Sequence, residues 1–330
     1  MSYRHTVQLL VRHPTVQFLI RRLAWAVAIL ALVSFLTFAL MALAPGDPVS
    51  ILLAGRLRTP ELVDSLQEMY NLTGPLPVRY ANWLADALRG DFGESITYGQ
   101  PVTAMIRSRA PLTVQMAALA VGPVVLLGVP LGVLAAVKRG KLFDRAIVSF
   151  TVLGVSVPAF ITGILFIYLF SLALGWFPTF GAGTAGVDRL THLVLPAGAL
   201  ALSMLAIIVK ITRTSMITEL EQDYVVFARA RGYSRTTVVM RHAFRNALIP
   251  VVTTSALLFA FAVGGAVLIE QVFALPGLGT LLVEAAELRD LPMLQGLVLL
   301  NGVIIIMANL LIDLTYAVID PRVRFRHQVE

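Results

Sequence analysis

Six apolar runs, each long enough to cross a hydrocarbon core about 30 Å thick, dominate this sequence. They are Leu23 to Leu43, Thr113 to Val137, Ile147 to Leu172, Leu193 to Val209, Ile249 to Ile269 and Met293 to Tyr316. A backbone in lipid must satisfy its own N–H and C=O groups, which a continuous apolar run does as a helix. The expected fold class is therefore all-α: a polytopic membrane protein with six transmembrane helices. Composition agrees, since 58% of the 330 residues are apolar, 14% are charged and the mean hydropathy is +0.82, too greasy for a soluble globule.

The charged residues report orientation. With the amino terminus inside, 18 of the 26 Lys and Arg fall in the four segments on the cytoplasmic side. The short connections agree: Lys138, Arg139, Lys141 and Arg145 lie inside, whereas Glu270, Glu284, Glu287 and Asp290 face out with only Arg289. The expected layout is a cytoplasmic tail over 1–22, a transmembrane domain over 23–316 and a cytoplasmic tail over 317–330. Within the domain, 44–112 forms an extracytoplasmic cap and 211–248 a cytoplasmic loop. The net charge of +7 is spread through the connecting segments rather than gathered in one patch, which argues against nucleic acid as a partner. The first run follows Arg21-Arg22, yet no small-residue cleavage site comes after it. Ala44-Pro45-Gly46-Asp47-Pro48 reads instead as a stiff exit turn, so this run is expected to remain a span.

The longest polar stretch between two apolar runs, Arg213 to Pro250, is too long for a structureless connection. Ile217, Leu220, Tyr224 and Phe227 share one face at helical spacing, with Glu219, Glu221, Gln222 and Asp223 elsewhere. Acids gather at the start and Arg229 and Arg231 at the end, the polarity that complements a helix dipole. Gly232 supplies the stop. Ser234 is placed to cap a second short helix in which Met240, Ala243, Phe244 and Leu248 form a stripe. Helix, glycine turn and helix outside the bilayer leave one face free. Spacing alone supports two readings: a docking element for a partner, or a loop whose arginines set topology and touch anionic lipid.

Gly128 and Gly132 in the second run have the GxxxG spacing that lets another helix approach closely. Pro158 is placed to kink the third run, and Trp176 suits the interface beyond it. Asp313, one turn from Asn309, sits near the cytoplasmic end of the last run, where an acid is cheaper than the ~3 kcal/mol it costs at the centre. Helix packing is its expected role. Asn71-Leu72-Thr73 is a sequon of the kind chance often supplies.

The sequence contains no cysteine, no GxxxxGK[ST] phosphate loop, no HExxH and no G-x-S-x-G elbow, and its five histidines are scattered. No catalytic, cofactor-binding or metal site is expected. A secondary carrier normally shows ionisable residues near the midplane, and a channel a filter or charged ring. These runs hold almost no ionisable residues and no repeated glycine-rich pore segment. The energy for transport is expected to come from another subunit.

Tyr224-Val225, Ala228-Arg229-Ala230 with Gly232, then Arg241-His242, Arg245-Asn246 and Pro250 together resemble the coupling loop of permease subunits in ABC importers. The closest branch is the B-type subunit of dipeptide and oligopeptide permeases. The general importer motif opens on Glu-Ala-Ala, where Val226 and Phe227 replace the first two residues, and it closes on Ile-x-Leu-Pro, where His242, Phe244 and Arg245 stand. Tyr80-Ala81-Asn82-Trp83-Leu84, Arg89 to Ser95, Pro111-Leu112-Thr113 and Glu270 to Gly279 resemble the same family, and the likeness runs from Phe18 to Arg324.

That resemblance implies a type I ABC importer permease fold with a cytoplasmic coupling helix. Tyr224, Phe227, Ala228, Arg229, Arg231, Gly232, Arg241 and Phe244 would meet an ATPase. Glu270, Phe273, Pro276 and Gly277 would form an extracytoplasmic gate. The implied partners are a second related permease, two ABC ATPase subunits that use ATP and Mg, an extracytoplasmic substrate-binding protein and the lipid of a bacterial or archaeal plasma membrane. This chain itself would bind no cofactor. Peptides are the expected solute. Nickel or another small solute is the alternative within the family, and a secondary carrier or channel the alternative outside it.

Overall fold

The computed structural model describes residues 14–43, 59–69 and 74–319. In chain order the helices are α1 (Pro14–Leu43), α2 (Pro60–Met69), α3 (Leu76–Leu88), α4 (Val102–Val137), α5 (Leu142–Ser156) and α6 (Ala159–Phe166). There follow α7 (Gly186–Leu220), α8 (Asp223–Ala230), α9 (Phe244–Gly265), α10 (Val267–Val272), α11 (Leu278–Glu287) and α12 (Leu291–Ile319). Two π-helical turns extend them: Ile167–Ala173 continues α6, and Val238–Ala243 leads into α9.

Among the described residues, five helical segments are long and apolar enough to cross a membrane, in α1, α4, α7, α9 with its leading turns, and α12. A sixth crossing requires α5 and the α6 leg together, and that pair is bent by 96°. The run expected from Ile147 to Leu172 is therefore broken rather than kinked. The cause is local. Pro158 disfavours the helical region for the residue before it, and Val157 is extended at φ −93° and ψ 119°. Pro158 then starts the second leg, where its missing N–H costs nothing.

The chain divides into two compact units, one holding residues up to Arg109 with Leu281–Ile306, the other Ala110–Thr280 with Met307–Pro321. In the first, α3 packs on α1 through Tyr80. Its hydroxyl lies 2.7 Å from Ser34 Oγ and donates to the Ala31 carbonyl at 3.0 Å, while its ring meets Phe35 edge-on at 5.2 Å. Asp290, fully buried, caps α12 by accepting from the Met293 amide at 3.2 Å. It also accepts from the Thr97 amide at 3.1 Å and from the Ser95 hydroxyl, pinning that loop.

In the second unit α7 is the hub, packed against α5, α6 and α9. Gly128 and Gly132 of α4 face it so closely that a β-carbon would lie 2.9 Å from Ile208 Cγ2 at the first and 2.5 Å from Thr212 Cβ at the second. Arg213 of α7 grips Asp144 of α5 with two bonds of 2.5 and 2.9 Å, and the Gly140 amide adds a third at 2.8 Å. Bidentate pairing of this kind holds a buried carboxylate in one orientation. The features expected at Ala44-Pro45-Gly46-Asp47-Pro48, at Asn71-Leu72-Thr73, at the Asp313 side chain and in the tail from Asp320 lie outside the described residues.

Candidate functional site

α8 is a two-turn helix set between the end of α7 and the root of α9. It starts after a break at Glu221-Gln222, with Asp223 in its first turn and Arg229 in its last. Gly232 ends it at φ 80°. The Tyr233 amide returns to the Ala228 carbonyl at 3.4 Å and the Gly232 amide to the Arg229 carbonyl at 3.0 Å, a Schellman motif that needs a left-handed residue at this position. Ser234 then accepts from the Thr237 amide at 3.3 Å and starts the next turn. The second short helix expected there does not stand alone. No glycine or proline interrupts residues 235–249, so the helix runs through Val238–Ala243 straight into α9.

The faces of α8 sort the expected coupling residues. Val225 and Ala228 point inward to a cluster with Ala136, Met216, Val238, Ala243 and Ala247, and Phe244 is partly buried against the same cluster. Ala228 is only 4% exposed. It is a core residue of this chain and not free contact surface, unlike the ATPase contact that the resemblance implied for it. The break at Glu221-Gln222 resets the helical phase, so residues beyond it no longer continue the face of α7. What α8 exposes is Val226 and Phe227, the latter 69% exposed, together with Arg229, Arg231 and, further on, Tyr233, Met240 and Arg241.

Tyr224 is engaged within the chain. Its hydroxyl donates to Glu219 of α7, accepts from Asn246 Nδ2 of α9 at 3.0 Å and lies 3.4 Å from the His242 carbonyl. Burial first, and then the bond to Glu219, pushes its pKa up to about 12. Arg235 donates to the Val137 carbonyl at the end of α4 at 3.2 Å, and Arg139 pairs with Glu221. α8 is thus bolted to its neighbours on one side and bare on the other.

Beyond α9, Glu270 is 1% exposed. Its carboxylate accepts from Thr113 Oγ1 at 2.6 Å, from the Thr280 amide at 2.8 Å, from the Thr280 hydroxyl at 3.3 Å and from the Gly279 amide. Thr113 Oγ1 in turn accepts from the Leu278 amide at 2.9 Å. These three amides open α11 and lack partners within it, so a carboxylate and a hydroxyl from elsewhere in the chain cap that helix. Burial pushes the Glu270 carboxyl above the ordinary carboxylate range, and these bonds oppose the rise.

The glycines make room for the carboxylate: a β-carbon at Gly277 would fall 2.1 Å from Glu270 Oε1. Phe273 is buried with its ring over Gly163, and its carbonyl accepts from the Gly181 amide at 2.9 Å. Of the four expected gate residues, Glu270, Phe273 and Gly277 are locked in this knot and Pro276 is exposed.

Residues 128–325 match the family described as binding-protein-dependent transport system inner membrane component, and residues 15–117 match its N-terminal membrane component. The chain belongs to this family. The permease is 42% identical over 310 residues to a protein of Brucella abortus named as a peptide transport system permease, covering 93% of this chain and 98% of that one. It is 35% identical over 314 residues to the oligopeptide transport system permease protein AppB of Bacillus subtilis, covering 93% and 99%. Its fold matches a chain of the MetNI methionine ABC transporter in an inward-facing form, with a TM-score of 0.54 at 18% identity over 66% of the permease and 96% of that chain. The type I importer permease fold expected from the sequence is the fold found. Thr113 and Thr280 are members of the Glu270 knot whose roles sequence reasoning missed, and for Thr113 nothing local signals a bond across 157 positions.

Proposed function

We propose that the permease forms half of the pathway by which an ATP-driven importer takes up peptides. It works with a second, related permease, two ATPase subunits and an extracytoplasmic binding protein. The observation that carries this reading is α8. In a chain related over nearly its whole length to peptide permeases, α8 bares Phe227 and Val226 while Tyr224 ties it to α7 and α9. A bare aromatic on a rigid helix, flanked by arginines, fits the anchor of a protein contact. Closure of the ATPases displaces α8, and the Tyr224 bonds pass that displacement to Glu219 and Asn246. ATP and Mg are bound by the ATPases, and the charge distribution supports a cytoplasmic α8 with both termini on the same side. The names of the relatives favour peptides over nickel.

The test is reconstitution in vesicles with the second permease, the ATPases and the binding protein. The permease alone is expected to hydrolyse no ATP, and the assembly to take up a labelled oligopeptide only with ATP, faster with loaded binding protein. Nickel uptake without peptide uptake would reassign the solute, and peptide accumulation on a proton gradient without ATP would overturn the reading.

A further inference from the structure

A cavity of about 510 Å³ lies wholly within the first compact unit, walled by Phe38 of α1, by α3, by the loop at 91–96 and by the start of α12. Its walls are held in place. Tyr80 ties α3 to α1, and Asp290 ties the loop to α12. One buried polar side chain in it has no partner among the described residues. Gln295 is 7% exposed, lines the cavity and makes no hydrogen bond there. The half-buried Trp83 ring forms part of the wall beside it. Buried polar groups without partners are uncommon, and one that lines a cavity points to something that the cavity is built to hold.

The charges narrow what that is. Asp86, Asp91 and Glu94 line the cavity against one cation, Arg79, which lies over the Phe38 ring at 5.7 Å. Asp91 gives one oxygen to the Gly93 amide at 2.9 Å, and Asp86 reaches Arg89 only at an exposed 3.5 Å. Carboxylates in excess of the one cation suit an ammonium group. The Gln295 amide, donor and acceptor at once, matches a peptide group. The volume falls in the range of small-ligand sites.

We infer that this cavity holds the amino-terminal end of a peptide, its ammonium at Glu94 and Asp91 and its first peptide group at Gln295. The inference rests on the peptide reading above and adds to it a site within the permease itself that selects a free α-amine.

The test uses the full-length permease in lipid nanodiscs with Trp25→Phe and Trp176→Phe, two exposed positions, so that Trp83 is the only tryptophan. Trialanine is expected to shift Trp83 emission saturably. N-acetyl-trialanine, Glu94→Gln and Gln295→Leu are each expected to weaken binding by about tenfold or more, the scale of a lost charge-assisted or buried hydrogen bond. Glu94 is exposed, so its variant places no burden on folding, and acetylation leaves the protein untouched. Equal binding of the two peptides, no saturable response, or variants that bind like the parent would overturn the site. ATP-driven trialanine uptake by the whole assembly is measured in parallel. If uptake is found while acetylation and both variants leave binding unchanged, the cavity inference fails and the transport reading stands. If the complete assembly imports no peptide, the transport reading fails whatever the titration shows.

Discussion

The permease treats the two ends of α9 in opposite ways. Past its far end it buries a carboxylate and surrounds Glu270 with donors from α4 and α11. At its root it leaves Phe227 in the open, on a helix that Tyr224 ties to α7 and α9. A buried ionisable group is tolerated only when its bonds are complete, and a complete set fixes geometry. A large exposed apolar side chain on a rigid element is half of an interface. The lesson is that α9 is anchored within its own chain on one side and, on the proposed reading, meets another chain on the other.

The sharpest way to break that contrast is Gly277→Ala. The added carbon would sit 2.1 Å from a carboxylate pinned by several bonds, so the side chain cannot swing aside. Overpacking together with unsatisfied amides is expected to cost more than about 3 kcal/mol, read as loss of folded, monodisperse permease in detergent. A melting temperature equal to that of the parent would mean that the knot is not rigid.

Next in size is a pair of neighbours. Phe227→Asp is expected to leave the isolated permease within about 0.5 kcal/mol of the parent, as surface changes do. It should weaken ATPase binding by about 2 kcal/mol, roughly 30-fold, as loss of an interface anchor does. Ala228→Glu, one position on, should instead unfold the cluster around α8, because it places an unpaired charge among Met216, Val225 and Val238. The reverse pattern in thermal melts and co-purification would invert the two faces.

The smallest effect is a pH slope. The Glu270 carboxyl is held above its ordinary value of 4.5, so the stability it contributes is full below pH 4.5 and declines as pH rises through the raised value. Glu270→Gln, neutral throughout, should flatten that part of a plot of melting temperature against pH. An unchanged slope would assign it to other groups.

Much of this fold is legible in the sequence because lipid imposes one solution on a long apolar run. Gly232 is legible too, since only a few residues tolerate a left-handed stop. The break at Ser156-Val157-Pro158 is half legible: proline signals a disturbance, while its 96° size depends on what the second leg packs against. The inward face of α8 is not legible, because two residues of non-helical chain at Glu221-Gln222 reset a phase that periodicity assumes continuous. The Glu270 knot and the cavity at Gln295 are beyond local pattern altogether. Each gathers residues more than a hundred positions apart, and their chemistry exists only after those elements meet.

One consequence of the π-helical turn at Val238–Ala243 concerns the interchange of parts. Such a turn holds one residue more than the α-helix around it, and one residue is worth about 100° of rotation. The bearing of Phe227 relative to α9 is therefore set by a count of residues, as a gear is set by its teeth. A permease one residue shorter between Ser234 and Asn246 would carry the same α8 more than a quarter-turn out of alignment, and would fit a different ATPase groove even with every side chain of α8 unchanged.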